Sequence, residues 1–568
     1  MDSAVAQCPF GNNCQARDAN IPSRNPEQHR GTGMQRRELL KFAGAGAAVT
    51  VAPAAAAALD ARTMGNPAAA PGAGWVSVRQ FGARGDGAAT DSPAINRAIE
   101  AAAAAGGGTV LFPAGVYLSY SIRLKSKVGL YLDHGAVILA APTPLEGTLT
   151  GGYDAAEPQG AWEPFQDYGH NHWHNSLLWG EDLDCVSITG PGLIWGKGLT
   201  RGWENEPGQP DTTKPGVGNK AIALKNCRNV LLRDFRILQG GWFGILATGV
   251  DNLTIDNLLI DTNRDGMDID CCRNVRVSNC TVNSPWDDAI CPKSSFALGY
   301  ARATENLTIA NCYVTGGFEL GSVLDGSWKL AAQKPHWPAT GRIKLGTESN
   351  GGFRNVTVSN CVFESCQGFA LESEDGALVE DITFTGITMR DIRSAPLFLR
   401  LGARMRGPRD AQPGVMRRVI LSNITSSGAS PLPSILSGVP GHPIEDIKIS
   451  DVFLEQVGGG SAAMAALEPE ERAAAYPDPG MFGALPACGF FLRHVRNLEM
   501  SNVEIATRAA DARPAFWLKD VAGADFFRVR VPQGAAPAFD LHQVKEFRSF
   551  GSRQLADQTL EKVDERKV

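Results

Sequence analysis

A chain of 568 residues carrying 63 glycines and 34 prolines is longer than an ordinary single domain, yet those residues are spread along it rather than gathered into linkers. Charged residues make up only 20%, and the net charge of −6 with a pI near 5.9 excludes the broad basic surface that phosphate binding needs. Beyond the N-terminus no apolar run reaches the roughly 18 residues that span a bilayer. Nucleic acid and, after export, membrane are therefore not expected as partners, and a monomer is.

Taken in chain order, Gln35-Arg36-Arg37-Glu38-Leu39-Leu40-Lys41 precede an uncharged Ala/Gly/Val stretch from Phe42 to Leu59. Paired arginines before a weakly apolar segment predict a twin-arginine export signal over 1–61, with the periplasm or the medium as destination. Pro53 and the low hydrophobicity argue against an anchoring helix. The Pro/Ala/Gly-rich stretch 62–74 reads as a disordered lead-in. From Val76 to Pro113 the pattern predicts a turn, then a short Ala-rich helix from Ile95 to Ala105 capped by Asp91 or Ser92. Gly106-Gly107-Gly108 stops the helix and a strand follows. The glycine triplet ends a helix instead of opening one, which argues against a phosphate loop.

A repeat then organises the chain. The shape N-[VL]-x-[VI]-x-[ND]-apolar starts at Asn229, Asn252, Asn274, Asn306 and Asn355, with weaker copies at Asp381, Arg418, Asp446 and Asn497. A period near 22 with alternating apolar residues predicts a right-handed parallel β-helix over 75–550, plugged by the N-terminal helix and followed by a charged tail over 551–568. Asn suits the corners because it tolerates left-handed backbone and its amide can bond to the next coil. The N-x-T sequons at Asn252, Asn306 and Asn355 are by-products of this pattern. Cys227, Cys280, Cys312 and Cys361 each follow an Asn, which predicts a stacked column of buried thiols rather than disulfides.

One coil apart, acidic clusters become spatial neighbours. Asp265 and Asp268 follow one repeat strand and Asp287-Asp288 follow the next, 22 residues on. Carboxylates packed this closely repel, so at least one pKa should rise, and such a patch is more useful to catalysis than to folding. Asn263-x-Asp265-Gly266-x-Asp268, Asp287-Asp288 and Arg342-Ile343-Lys344 together resemble glycoside hydrolase family 28, the polygalacturonases and their relatives. The segment Phe81 to Pro113 resembles the N-terminal part of such pectin-acting β-helices, and the likeness runs from about Trp75 to Met389.

The resemblance implies an inverting hydrolase of pectic, uronate-containing chains with no cofactor. Asp287 would be the general acid, while Asp265 and Asp288 would position and deprotonate water, across a gap of about 6.5–9.5 Å. Arg342 and Lys344 would grip a uronate carboxylate. Two departures stand out: Arg264 replaces the family's usual Thr, and Gly316 to Gly321 replaces its Gly-His-Gly. Glu319 and Arg264 are a candidate compensating pair. Asn263, Asp268, Glu348 and, with Glu374-Asp375, Glu372 would border the groove.

Trp162, Trp173, Trp179, Trp195, Trp203, Trp286, Trp328 and Trp337 fall in loops or strand ends, where indoles can stack on sugars or pack in the core. Alternating His170, His172 and His174 read as a polar substrate loop, since no acidic partner stands at metal-binding spacing and no metal is expected. The insertions Gly196 to Asn219 and Ser322 to Thr340 would wall off one end of the groove. Two other functions fit the scaffold. A β-eliminating lyase would need Ca²⁺ or a Lys/Arg base and would release ultraviolet-absorbing products. A non-catalytic carbohydrate-binding β-helix would release no reducing ends.

Overall fold

The computed structural model describes residues 74–143, 152–201, 210–332, 339–534 and 536–568. The expected export signal, nearly all of the lead-in, and Trp203 and Trp337 lie outside them.

The repeat builds a right-handed parallel β-helix. Val230, Leu253, Val275, Leu307, Val356, Ile382 and Val419 lie rung over rung in parallel register. All seven are buried. Each coil leaves its inward aliphatics exposed until a neighbour covers them, at about 1.5–3 kcal/mol per side chain. The corners follow from the asparagines. Asn229, Asn252, Asn274, Asn306 and Asn355 all take φ between 53 and 57°. Their amides form a ladder, in which Asn252 donates to Asn229 at 2.9 Å, Asn306 to Asn274 at 3.0 Å and Asn355 to Asn306 at 2.8 Å. A second corner repeats the device at Asn257, Asn279, Asn311 and Asn360.

Helix α1 spans Ser92–Ala104 and buries Ala94, Ile95, Ala98, Ile99 and Ala102 against the end of the solenoid core. Asp91 occupies the N-cap position but does not cap the helix. Its carboxylate instead accepts from the backbone of Arg84 at 2.6 Å and Gly85 at 3.0 Å, which fastens the preceding turn. At the other end, the charged segment 551–568 supplies a last strand, Gln558–Lys567, antiparallel to Phe539–Phe550.

Every described cysteine is a free thiol. Cys280, Cys312 and Cys361 stack, with the Cys312 thiol between the other two. Cys227 does not join them. It follows Asn226 at a different corner, where the register places it in line with Val250 and Cys272.

A six-stranded parallel sheet forms the face that matters for chemistry. Its strands are β1 (Ile122–Arg123), β2 (Leu178–Glu181), β3 (Lys220–Lys225), β4 (Phe243–Thr248), β5 (Asp265–Asp270) and β6 (Ile290–Lys293).

Candidate active site

Parallel pairing of β5 with β6 sets Met267 against Ile290 and Asp268 against Cys291. The bend before β6 therefore delivers Asp287 and Asp288 one rung above Asp265, and Gly266 N–H donates to the Asp288 carbonyl at 2.9 Å. One carboxylate oxygen from each of Asp265, Asp287 and Asp288 lies within 4.8 Å of the others. Asp265 and Asp288 are buried; Asp287 is half-buried, with its side chain 29% exposed. This is tighter than the gap expected from the sequence, and the coil geometry is the reason: neighbouring strands stand only about 4.8 Å apart.

Asp265 and Asp288 are pushed in opposite directions. Burial first, and then the carboxylates of Asp287 and Asp268 beside it, push Asp265 well above the usual carboxylate range. Burial would raise Asp288 as well, but Lys344, Arg342 and Lys293 outweigh it and hold Asp288 at about 2. Arg342 Nε stands 2.9 Å from Asp288 Oδ1, and Lys344 Nζ pairs with Oδ2. Both cations are buried. Arg342 and Lys344, expected to grip a uronate, face Asp288 from the next coil, where Ile343 bridges Ile290.

Arg264 lies at the bend into β5. Its Nε is 3.1 Å from Asp287 Oδ2 and 3.7 Å from Asp265 Oδ2, and its guanidinium lies 4.4 Å from the ring centre of buried Trp242. Glu319 is exposed and forms no part of this cluster; the arginine turns to the aspartates. Where the family carries its Gly-His-Gly imidazole, the backbone is too crowded for a side chain. A Cβ on Gly317 would stand 2.4 Å from Ser365 Cβ. Asn263 is half-buried with its amide oxygen unbonded, and Trp286 is 37% exposed with the Arg201 guanidinium 3.7 Å from its ring centre.

The histidine loop meets acids after all, one from a distant strand and the others from nearby in the chain. His170 Nε2 is 3.1 Å from Asp268 Oδ2, and His172 Nε2 is 2.9 Å from Glu163 Oε1. His174 Nε2 is 2.9 Å from Glu181 Oε2 and 3.5 Å from Glu157 Oε1. Burial, then the charge of Lys220, pull His172 down to about 4, so it is a neutral, buried side chain rather than a substrate contact. Lys293, which the sequence did not single out, stands 3.9 Å from Asp268 and 3.0 Å from Glu348. Burial raises Glu348, but Lys293, His170, Arg404 and Arg406 carry it well below its usual range. Glu348 is thus a buried network member, 2.9 Å from Arg406 Nη2. Trp173 is likewise buried and donates to Thr248, while Trp328 packs edge-on against Tyr313 and Phe318.

Two loops reach this floor. The segment 152–177 brings His170 to Asp268. The segment 457–489, between the strands Ile444–Gln456 and Phe490–Thr507, brings Tyr476, whose hydroxyl is 3.3 Å from Thr347 Oγ1. Neither was among the insertions expected to wall the groove.

Known proteins share these features. The sequence profile described as rhamnogalacturonase A/epimerase, pectate lyase-like, matches residues 75–143, and that of the right-handed β-helix region matches 213–328. A probable polygalacturonase of Vitis vinifera is 25% identical over 404 residues, covering 66% of this chain and 74% of the relative. The family 28 exopolygalacturonase of Yersinia enterocolitica superposes with a TM-score of 0.58 at 19% identity, over 80% of this chain and 78% of that one. A hyperthermoactive exopolygalacturonase of Thermotoga maritima gives 0.54 at 20% identity, over 76% and 91%. Three aspartates converging on a parallel β-helix, together with these relatives, define a glycoside hydrolase. The chain is similar to members of glycoside hydrolase family 28, the family of the polygalacturonases.

Proposed function

We propose that the chain is an exported hydrolase that cleaves glycosidic bonds in pectic, uronate-containing chains with inversion at the anomeric carbon. The observation that carries this reading is the convergence of three aspartates, two of which, Asp265 and Asp288, are pushed in opposite directions. Environments that push the pKa values of neighbouring acids apart are how one site holds an acid and a base together. Asp287, half-open to solvent, gives its proton to the departing glycosidic oxygen. Asp265 and Asp288 are close enough for one water to hydrogen-bond both at about 2.7–2.8 Å each. That water is the nucleophile, and Asp288, ionised and fixed by Lys344 and Arg342, orients it.

The substrate class is supported by the polygalacturonase relatives and by the basic floor of Arg264, Lys293, Arg342, Lys344 and Arg406, which favours an anionic sugar. The loops carrying His170 and Tyr476 both reach the site, which favours attack from a chain end. Export is supported by Arg36-Arg37 and the apolar stretch behind them. A chain with Arg36→Lys and Arg37→Lys is expected to stay in the cytoplasm, and unchanged export would remove that part of the proposal.

The close spacing of the carboxylates favours a second reading, a retaining double displacement, in which such groups stand about 5–5.5 Å apart. Proton NMR of an α-linked oligogalacturonate during the first turnovers decides between them. The β-anomer appearing first is expected, and the α-anomer first would establish retention. Products absorbing in the ultraviolet would instead mean elimination and overturn hydrolysis.

A further inference from the structure

An acid catalyst with an arginine 3.1 Å from its carboxylate has the oxygen it must use already engaged. Arg264 Nε donates to Asp287 Oδ2, where hydrolysis needs a proton to be carried. We propose that Arg264 is a latch released by the substrate: in the free enzyme it is paired with Asp287, and a uronate carboxylate bound beside the scissile bond draws the guanidinium away, so that Asp287 takes up the proton it must deliver. This rests on the hydrolase reading above and names what within that site selects an anionic sugar.

The geometry gives the latch both a resting place and a way out. Trp242, fully buried, forms a flat shelf beneath the guanidinium, and the Arg264 backbone carbonyl is pinned by Ser284 Oγ at 2.5 Å. The side chains of Arg264 and Asp287 are 16% and 29% exposed, so a ligand in the groove reaches both. The groups facing Asp287 are Arg264 and Asp265 from the rung below, Asp288 beside it, and Tyr476 from the 457–489 loop. Asp167 faces Arg264 from the histidine loop, while Arg342 and Lys344 are committed to Asp288. Arg264 is therefore the cation shared between acid and groove.

The proton comes from Asp265, whose carboxyl burial and its like-charged neighbours push well above the usual carboxylate range. An O–H bond breaks at Asp265 and one forms at Asp287, through a bridging water, with no change in the charge of the pair. Asp265 is left as the carboxylate that receives a proton from the attacking water. A methyl-esterified sugar carries no charge with which to compete for the guanidinium, so it leaves the latch closed.

The test compares kcat for an oligogalacturonate and its methyl ester, using the full-length wild-type enzyme, Arg264→Thr and Arg264→Lys. Wild type is expected to turn over the acid on the order of 100-fold faster than the ester in kcat itself, as a charge-assisted contact made on the way to the transition state would give. In Arg264→Thr the two kcat values should come within about threefold, because nothing remains to be released. The basic limb of its kcat/KM profile should also move up by about one pH unit, since the pair loses a neighbouring cation. Arg264→Lys, keeping the charge, should leave that limb in place. An Arg264→Thr enzyme that keeps the wild-type kcat ratio and pH limb overturns the latch while leaving the hydrolase reading intact. A wild-type enzyme with no turnover of either oligomer overturns both.

Discussion

Asp287→Asn is expected to lower kcat on oligogalacturonate on the order of 1,000-fold, with KM changed only a few-fold and thermal stability retained. General acid catalysis contributes roughly 10²–10⁴-fold, and Asp287 is the one member of the trio that a glycosidic oxygen can approach from the groove. Stability should hold because the substitution removes a charge that crowds buried Asp265. The diagnostic arm is an aryl galacturonide with a good leaving group, whose oxygen needs little protonation as it departs. That substrate should lose far less rate than the oligomer. A variant that keeps wild-type turnover, or that loses both substrates equally, would take the acid role away from Asp287. The same experiment on Asp265→Asn should show less recovery, since that residue, besides supplying the proton to Asp287, must receive one from the attacking water.

How much of this could be read in the sequence depends on whether the coil period carries the information. Asn229 to Asn355 announce the fold because every rung needs the same left-handed corner, and a corner that repeats leaves a repeating letter. Asp265 and Asp287 are legible as neighbours for the same reason, being one period apart with nothing let out between them. Arg342 and Lys344 lie 54 and 56 residues beyond Asp288, across a long excursion from the solenoid. The sequence could place them at the site but not tell that they pair with Asp288. His170 meets Asp268 across 98 residues, and Tyr476 meets Thr347 across 129, through loops that follow no period. The misplacement of Cys227 has a related origin, since an Asn-Cys pair looks alike at either corner and only the strand register separates them.

The clamp on Asp288 makes the second strong prediction. Lys344→Met is expected to cost about 3–5 kcal/mol, the usual result of removing one partner from a buried ion pair. It leaves a fully buried carboxylate with Arg342 as its ion-pair partner and only the more distant charge of Lys293 to help, and the shape of the side chain is nearly preserved, so the loss reports charge rather than packing. The pH dependence follows from Asp288 standing at about 2 in the folded protein, below the ordinary aspartate value of 3.8. A carboxylate depressed by folding stabilises the native state above its unfolded pKa, and that contribution disappears as pH falls through the folded value. Wild type should therefore lose this stability between about pH 4 and pH 2. In Lys344→Met the folded pKa climbs towards or past the unfolded one, so acid should destabilise that variant less steeply than wild type. The double variant Lys344→Met with Asp288→Asn should recover part of the loss, because the under-compensated carboxylate is gone and Arg342 keeps Glu372 at 4.0 Å. Melting temperatures of wild type, Lys344→Met, Asp288→Asn and the double variant between pH 2 and pH 7 measure all of this. Additive losses in the double variant, or a single variant as stable as wild type, would mean that the lysine does not clamp Asp288, and the ionised, water-orienting role given to that aspartate would go with it.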